Sequence, residues 1–241
     1  MQVTDNITFI NMKVELAIPS GLHEITLQQY QEYVKQTEKF ADNEEMMKLL
    51  AISCFCRVPL QYVRLMKKTD VDSIHDSIAG YFKEKPSMQP IIEIGGKRFG
   101  FIPELQSMSY GEYLDLDASF KDWSTFHSAM AVMYRPTKTI KKQTYEIEDY
   151  EGSATYSEVM LHVTMDVVFG ASLFFYHLGK DLLNALADYL ESESKSLRTL
   201  AKQHNSENVG EHINQSMSSL KEILQSLILL QKSHYLSVSP I

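Results

Sequence analysis

Residues 90–103, PIIEIGGKRFGFIP, break the period of everything around them. Two short runs rich in Ile and Phe flank the pair Gly95-Gly96. A two-residue connection between strand-like runs is a β-hairpin, and the tight turn it needs demands positive φ at its centre. Glycine meets that demand without the steric penalty of a Cβ. Pro90 and Pro103 bracket the unit. On both sides the apolar residues return to helical spacing. One hairpin set among amphipathic helices predicts an α+β fold, mainly α. The expectation is a helical body with an N-terminal strand and this small β-hairpin, plus a C-terminal amphipathic helix.

The segments before the hairpin support that frame. Residues 7–18, ITFINMKVELAI, carry Ile7, Phe9, Val14, Leu16 and Ile18 in a strand-like pattern that ends at Pro19-Ser20-Gly21. Thr26 then caps a helix to about Lys39, with Leu27, Tyr30 and Val34 on one face. Asn43 caps the next, to about Phe55, with Met46, Met47, Leu50 and Ile52 inward. Pro59 opens a short helix to about Met66. Thr69 or Asp70 caps a fourth, with Val71, Ile74, Ile78 and Tyr81 or Phe82 inward, stopped by Pro86. Residues 20–86 thus read as a four-helix unit.

After the hairpin, Ser109 with Glu112 three residues on is a capping-box pattern. A further helix runs from near Asp122 to Tyr134 with Phe126, Met130 and Met133 on one face, and Arg135-Pro136 ends it. RPTKTIKKQ reads as a polar basic loop leading to a short strand at Tyr145–Ile147. Residues 155–193 form the longest apolar helical tract, with breaks expected near Gly170 or Gly179. The body therefore spans 1–193, a polar hinge 194–210, and an amphipathic helix 211–241. In the last, Ile213, Met217, Leu220, Leu224 and Leu227 are spaced 4, 3, 4, 3, which is the rhythm of a helix packed lengthwise on a partner.

Charge and thiols narrow the function classes. With Lys and Arg at 23 against 31 Asp and Glu, the net charge is −8, which argues against a broad duplex-binding face. The sole basic concentration is Arg135, Lys138, Lys141 and Lys142, the candidate contact for a nucleic-acid backbone or an acidic partner. Cys54 and Cys56 sit in an apolar stretch, and a disulfide at that spacing would be strained. They read as buried thiols made in a reducing compartment. The first residues lack a basic stretch followed by an apolar one, so they do not read as a signal peptide. Val159 to Leu178 is apolar but holds His162, Asp166 and His177, which suits a core helix rather than a membrane span.

Reactive groups are sparse. Glu112, Asp115 and Asp117 in GEYLDLD are the best acidic cluster for acid–base work or a divalent metal, but capping or solvated carboxylates account for them more simply. Asp122 and His127 are poorly aligned for a pair. His162 and His177 read as buried structural histidines, with an Asp166–His162 pair feasible at helical spacing. GGKRFG lacks the helix that a phosphate loop leads into, so it reads as a turn. No catalytic, cofactor-binding or metal residues are assigned, and no cofactor is expected. The candidate protein interface is Ile213, Met217, Leu220, Leu224 and Leu227.

Three blocks carry a family likeness: IEIGGKRFGFIPELQSMSYGEYLDLD, FHSAMAVMYRP and YEIEDYEG. They resemble a group of tailed-phage proteins from large phages, including crAss-like phages of gut Bacteroidetes, over about residues 90–180. The resemblance implies a virion morphogenesis protein: a structural neck or tail subunit of connector type, in a homo-oligomeric ring, or else a tail assembly chaperone absent from the mature virion. It implies portal, neck or tail proteins as partners, while a local DNA contact through the basic stretch stays an open question of the residues themselves. It implies a location in the virion; the sequence itself is read as having no membrane contact and as made in the reducing host bacterial cytoplasm. It transfers no functional residues.

Overall fold

The computed structural model describes residues 16–40, 42–104, 107–141 and 144–175. Of the expected N-terminal strand only 16–18 fall among them, and these belong to no strand. The hinge and the C-terminal stripe from Ile213 to Leu227 lie outside the described residues, as do Lys142 and His177.

The described chain is mainly helical with one antiparallel four-stranded sheet. The first helix, α1, spans Leu27–Thr37. Thr26 caps it through a full capping box: the Thr26 hydroxyl accepts from the Gln29 amide at 3.3 Å, and the Gln29 side chain accepts from the Thr26 amide at 3.0 Å. Gln29 does more than its own helix requires. Its Nε2 donates to the carbonyls of Cys54 and Phe55 at 3.0 and 3.1 Å, satisfying the open end of α2, Glu44–Phe55. Asn43 caps α2 at its start by accepting from the Met46 amide. At its end Arg57 takes φ 54°, and Val58 N–H reaches back to the Ser53 carbonyl, the bond of a Schellman turn.

A short α3, Leu60–Val63, follows Pro59. Then comes α4, Lys68–Tyr81, with Val71, Ile74 and Ile78 buried as expected. It begins one residue before Thr69. Lys67 occupies the cap position without a side-chain bond, so neither Thr69 nor Asp70 is the cap.

The hairpin forms as the glycines require. Strand β1, Ile91–Ile94, pairs with β2, Lys97–Phe101, and Ile94 lies opposite Lys97. Gly95 and Gly96 hold φ of 59° and 77°. Beyond it lie α5, Tyr110–Ser119, and α6, Phe126–Met133. Here the expected basic loop at 135–142 is wrong. The chain leaves α6 directly into β3, Tyr134–Lys141, which pairs with β2 and then with β4, Thr144–Ile147. Pro136 is accommodated opposite Phe99, and its carbonyl accepts from Glu148 N–H at 2.9 Å. The sheet order is β1-β2-β3-β4.

The apolar tract after 155 is also divided differently. A short α7, Ser157–Met160, gives way to a turn at 161–163 and to Thr164, which bridges to Thr26, and helix α8 occupies 165–175. The break is fixed by α1: Leu27 N–H donates to the Val163 carbonyl and Gln28 N–H to the Leu161 carbonyl, which satisfies donors at the helix start. Gly170 sits inside α8, where an added Cβ would come within 2.6 Å of the Ser87 carbonyl. Met165, Val168 and Ala171 are fully buried against an aromatic centre of Tyr30, Phe82, Trp123 and Phe169. Among the described residues no helix is long and apolar enough to cross a membrane.

Candidate functional site

The segments GEYLDLD, YRP and YEIEDYEG meet at one place. Helix α5 is capped by Ser109, whose hydroxyl accepts from the Glu112 amide at 3.2 Å while Glu112 Oε2 accepts from Ser109 N–H at 2.6 Å. That is the capping box its spacing predicts. Glu112 Oε1 then receives Arg135 Nη2 at 2.7 Å, and the two side chains are only 6% and 10% exposed. Arg135 is the first arginine after α6 and lies at the start of β3. Its guanidinium rests 5.6 Å from the centre of the Tyr150 ring. The Tyr150 hydroxyl in turn donates to Asp115, one helical turn beyond Glu112. Burial, then the Asp115 carboxylate, pushes the Tyr150 hydroxyl above the ordinary tyrosine range. GEYLDLD thus supplies two carboxylates, YRP the guanidinium, and YEIEDYEG the phenol.

This geometry joins α5, β3 and the segment after β4 into a charged, buried joint. A buried ion pair is favourable only with good geometry and its remaining valences met. Glu112 satisfies that condition, with one oxygen on an amide and the other on a guanidinium. Arg135 meets it less fully, because its Nε is buried without a hydrogen-bond partner. Two of the carboxylates considered for acid–base or metal chemistry, Glu112 and Asp115, thus have partners within the chain. Asp117, the third, points outward and pairs with Lys121 at 2.7 Å.

Beside the joint lies an open cleft of about 160 Å³, lined in part by Arg135, Lys138, Glu148, Asp149, Tyr150 and Tyr156. Lys138, Asp149 and Glu148 in it are each engaged by a partner. Lys138 donates to Asp149 at 2.9 Å, and that bond holds the lysine above and the aspartate below their ordinary ranges. Glu148 accepts from the Tyr156 hydroxyl at 2.6 Å, which raises that phenol, and lies 3.8 Å from Lys97. In the basic stretch Arg135 is buried against Glu112, Lys138 pairs with Asp149, and Lys141 lies in β3.

The other residues singled out by sequence fall elsewhere. Gln31 Nε2 lies 3.1 Å from His127 Nδ1 and donates to the Trp123 carbonyl, so His127 tethers α6 to α1. His162 is exposed in the break before α8, not buried on a helix. Asp166 instead accepts from Gln89 and from Thr164. Cys54 and Cys56 are buried free thiols, pushed by burial to about 12 and about 11.

The outer face of α5 is the feature that sequence reasoning passed over. Its buried residues are Glu112 and Ser119, both polar. Its outward face carries Tyr110, Tyr113 and Leu114, exposed by 75%, 55% and 48%, and the two phenol rings stack 6.3 Å apart. These three stand at i, i+3 and i+4, one continuous stripe. They are three of the seven large apolar side chains left exposed among the described residues. Glu112 turns inward to the joint and Leu116 packs against the core, while the exposed Asp117, paired with Lys121, borders Tyr113 and Leu114 on the outward face. The signal was present in SYGEYL, but the acidic residues drew the reading toward carboxylate chemistry.

Comparison with protein-family models, with curated proteins and with solved structures finds no match.

Proposed function

We propose that this chain is a structural protein of a tailed-bacteriophage virion, a connector-type subunit of a neck or tail ring that acts through protein–protein interfaces. The observation that carries the interface role is the exposed face of Tyr110, Tyr113 and Leu114 on α5. An apolar stripe held outward by a buried ion pair is poorly explained by the stability of one copy, since its burial would require a partner. The phage assignment rests on the likeness of the 90–180 blocks. Their side chains build the joint beneath the stripe, so the same residues that suggest the family also set the orientation of the helix.

Quantitative mass spectrometry of purified virions tests the proposal by counting this chain against the portal protein. The proposal expects a copy number near the portal's. Absence from particles, with abundance in infected cells, contradicts it and favours an assembly chaperone that leaves before the particle is complete.

A further inference from the structure

We propose that the outward stripe of α5 is the docking site for the C-terminal apolar stripe, residues 213–227, of a neighbouring copy. The inference rests on the ring-subunit reading above and names the contact that would build the ring.

Two surfaces on one chain are complementary in kind. One is the Tyr110, Tyr113 and Leu114 face, exposed on a helix whose Glu112 is already paired with Arg135. The other is Ile213, Met217, Leu220, Leu224 and Leu227, whose spacing is that of a helix seeking a lengthwise partner. Helix α5 has ten residues and so runs about 15 Å, whereas a helix over 213–227 would run roughly 22 Å. The shorter surface fits within the longer.

Chain connection permits the contact. The ring of Phe175 in α8 lies 5.8 Å from that of Phe120, the residue that ends α5. The described chain therefore stops beside the C-terminal end of α5. About 37 residues separate 175 from Ile213, enough to reach well over 100 Å if extended. An adjacent subunit is within that reach. Because the two surfaces differ, the contact is heterologous. Such contacts close into rings when the rotation permits, whereas a self-complementary patch gives a dimer.

Two versions of the full chain test this, a tagged Tyr113→Cys chain and an untagged Leu220→Cys chain, mixed and oxidised. The proposal expects a disulfide between tagged and untagged chains that is lost when Leu224→Asp is added to the untagged partner. Cys54 and Cys56 are buried, so they compete little. A Tyr113→Cys/Leu220→Cys double variant that closes only within single chains would overturn the proposal by assigning the stripe to its own C-terminus. Failure of the mixed chains to cross-link, with thermal melts showing both folded, would overturn it as well. If Tyr113→Cys does not fold, Tyr110→Cys, at the most exposed position of the stripe, takes its place under the same criteria. The virion count is independent of these outcomes: a ring-like copy number without this cross-link would leave the subunit reading standing and remove its proposed contact.

Discussion

Exchange of Arg135 for methionine removes the guanidinium but keeps most of the side chain's length. It leaves Glu112 buried, 6% exposed, with its charge facing an apolar thioether. Breaking a buried pair from one side costs about 3–5 kcal/mol, because the surviving charge has lost its compensation. For a protein of this size, that corresponds to a Tm lowered by roughly 6–20 °C. Glu112→Gln is the matching change from the other side. Glutamine can still accept from Ser109 N–H, so the capping box survives and the loss reports the ion pair. The double variant Arg135→Met/Glu112→Gln buries no net charge. Its cost should fall short of the sum of the single costs by about 2 kcal/mol or more. Urea titrations of the four proteins provide the cycle. Additive single costs, or single variants each within about 0.5 kcal/mol of the parent, would refute the claim that this pair fastens α5 to the sheet.

Three further outcomes follow from other parts of the fold. Gly100 lies beneath the Tyr145 ring, where a Cβ would come within 2.6 Å, so Gly100→Ala should cost about 1–3 kcal/mol in a chemical melt. Arg57 holds φ 54° at the end of α2, a position that favours glycine, so Arg57→Gly should raise stability by roughly 0.5–1 kcal/mol despite glycine's greater unfolded freedom. The thiols of Cys54 and Cys56 are raised from 9.0 to about 12 and about 11 by burial, so the native protein should resist Ellman's reagent at mildly alkaline pH and react once unfolded. The same shifts fix the sign of an alkaline effect: the folded state keeps protons that the unfolded state releases, so this contribution is whole below pH 9.0 and is lost as pH rises through about 11 and about 12.

Local chemistry was legible wherever it stayed local. Thr26, Asn43 and Ser109 each place a side-chain oxygen three residues before the amide it caps, and all three caps form. Gly95-Gly96 specifies its own turn. The failures share a different cause, partners far along the chain. In 134–141 a proline and three cations obscured a strand whose hydrogen bonds come from β2 and β4. The break at 161–164 is set by donors at the start of α1, which no local pattern in the apolar tract could show. Arg135 looked like an exposed cation because its partner is 23 residues earlier in sequence, on the inner side of α5. Once that partner is known, the outward direction of Tyr110, Tyr113 and Leu114 follows from helical geometry alone.

Hydroxyl-radical footprinting of Tyr110 and Tyr113, in the isolated chain and in intact virions, tests the central claim most directly. The account predicts strong labelling of both tyrosines in the isolated chain at low concentration and marked protection in the particle. Equal labelling in the two states would mean that the outward face of α5 meets no neighbour, and the interface role assigned to this helix would be contradicted.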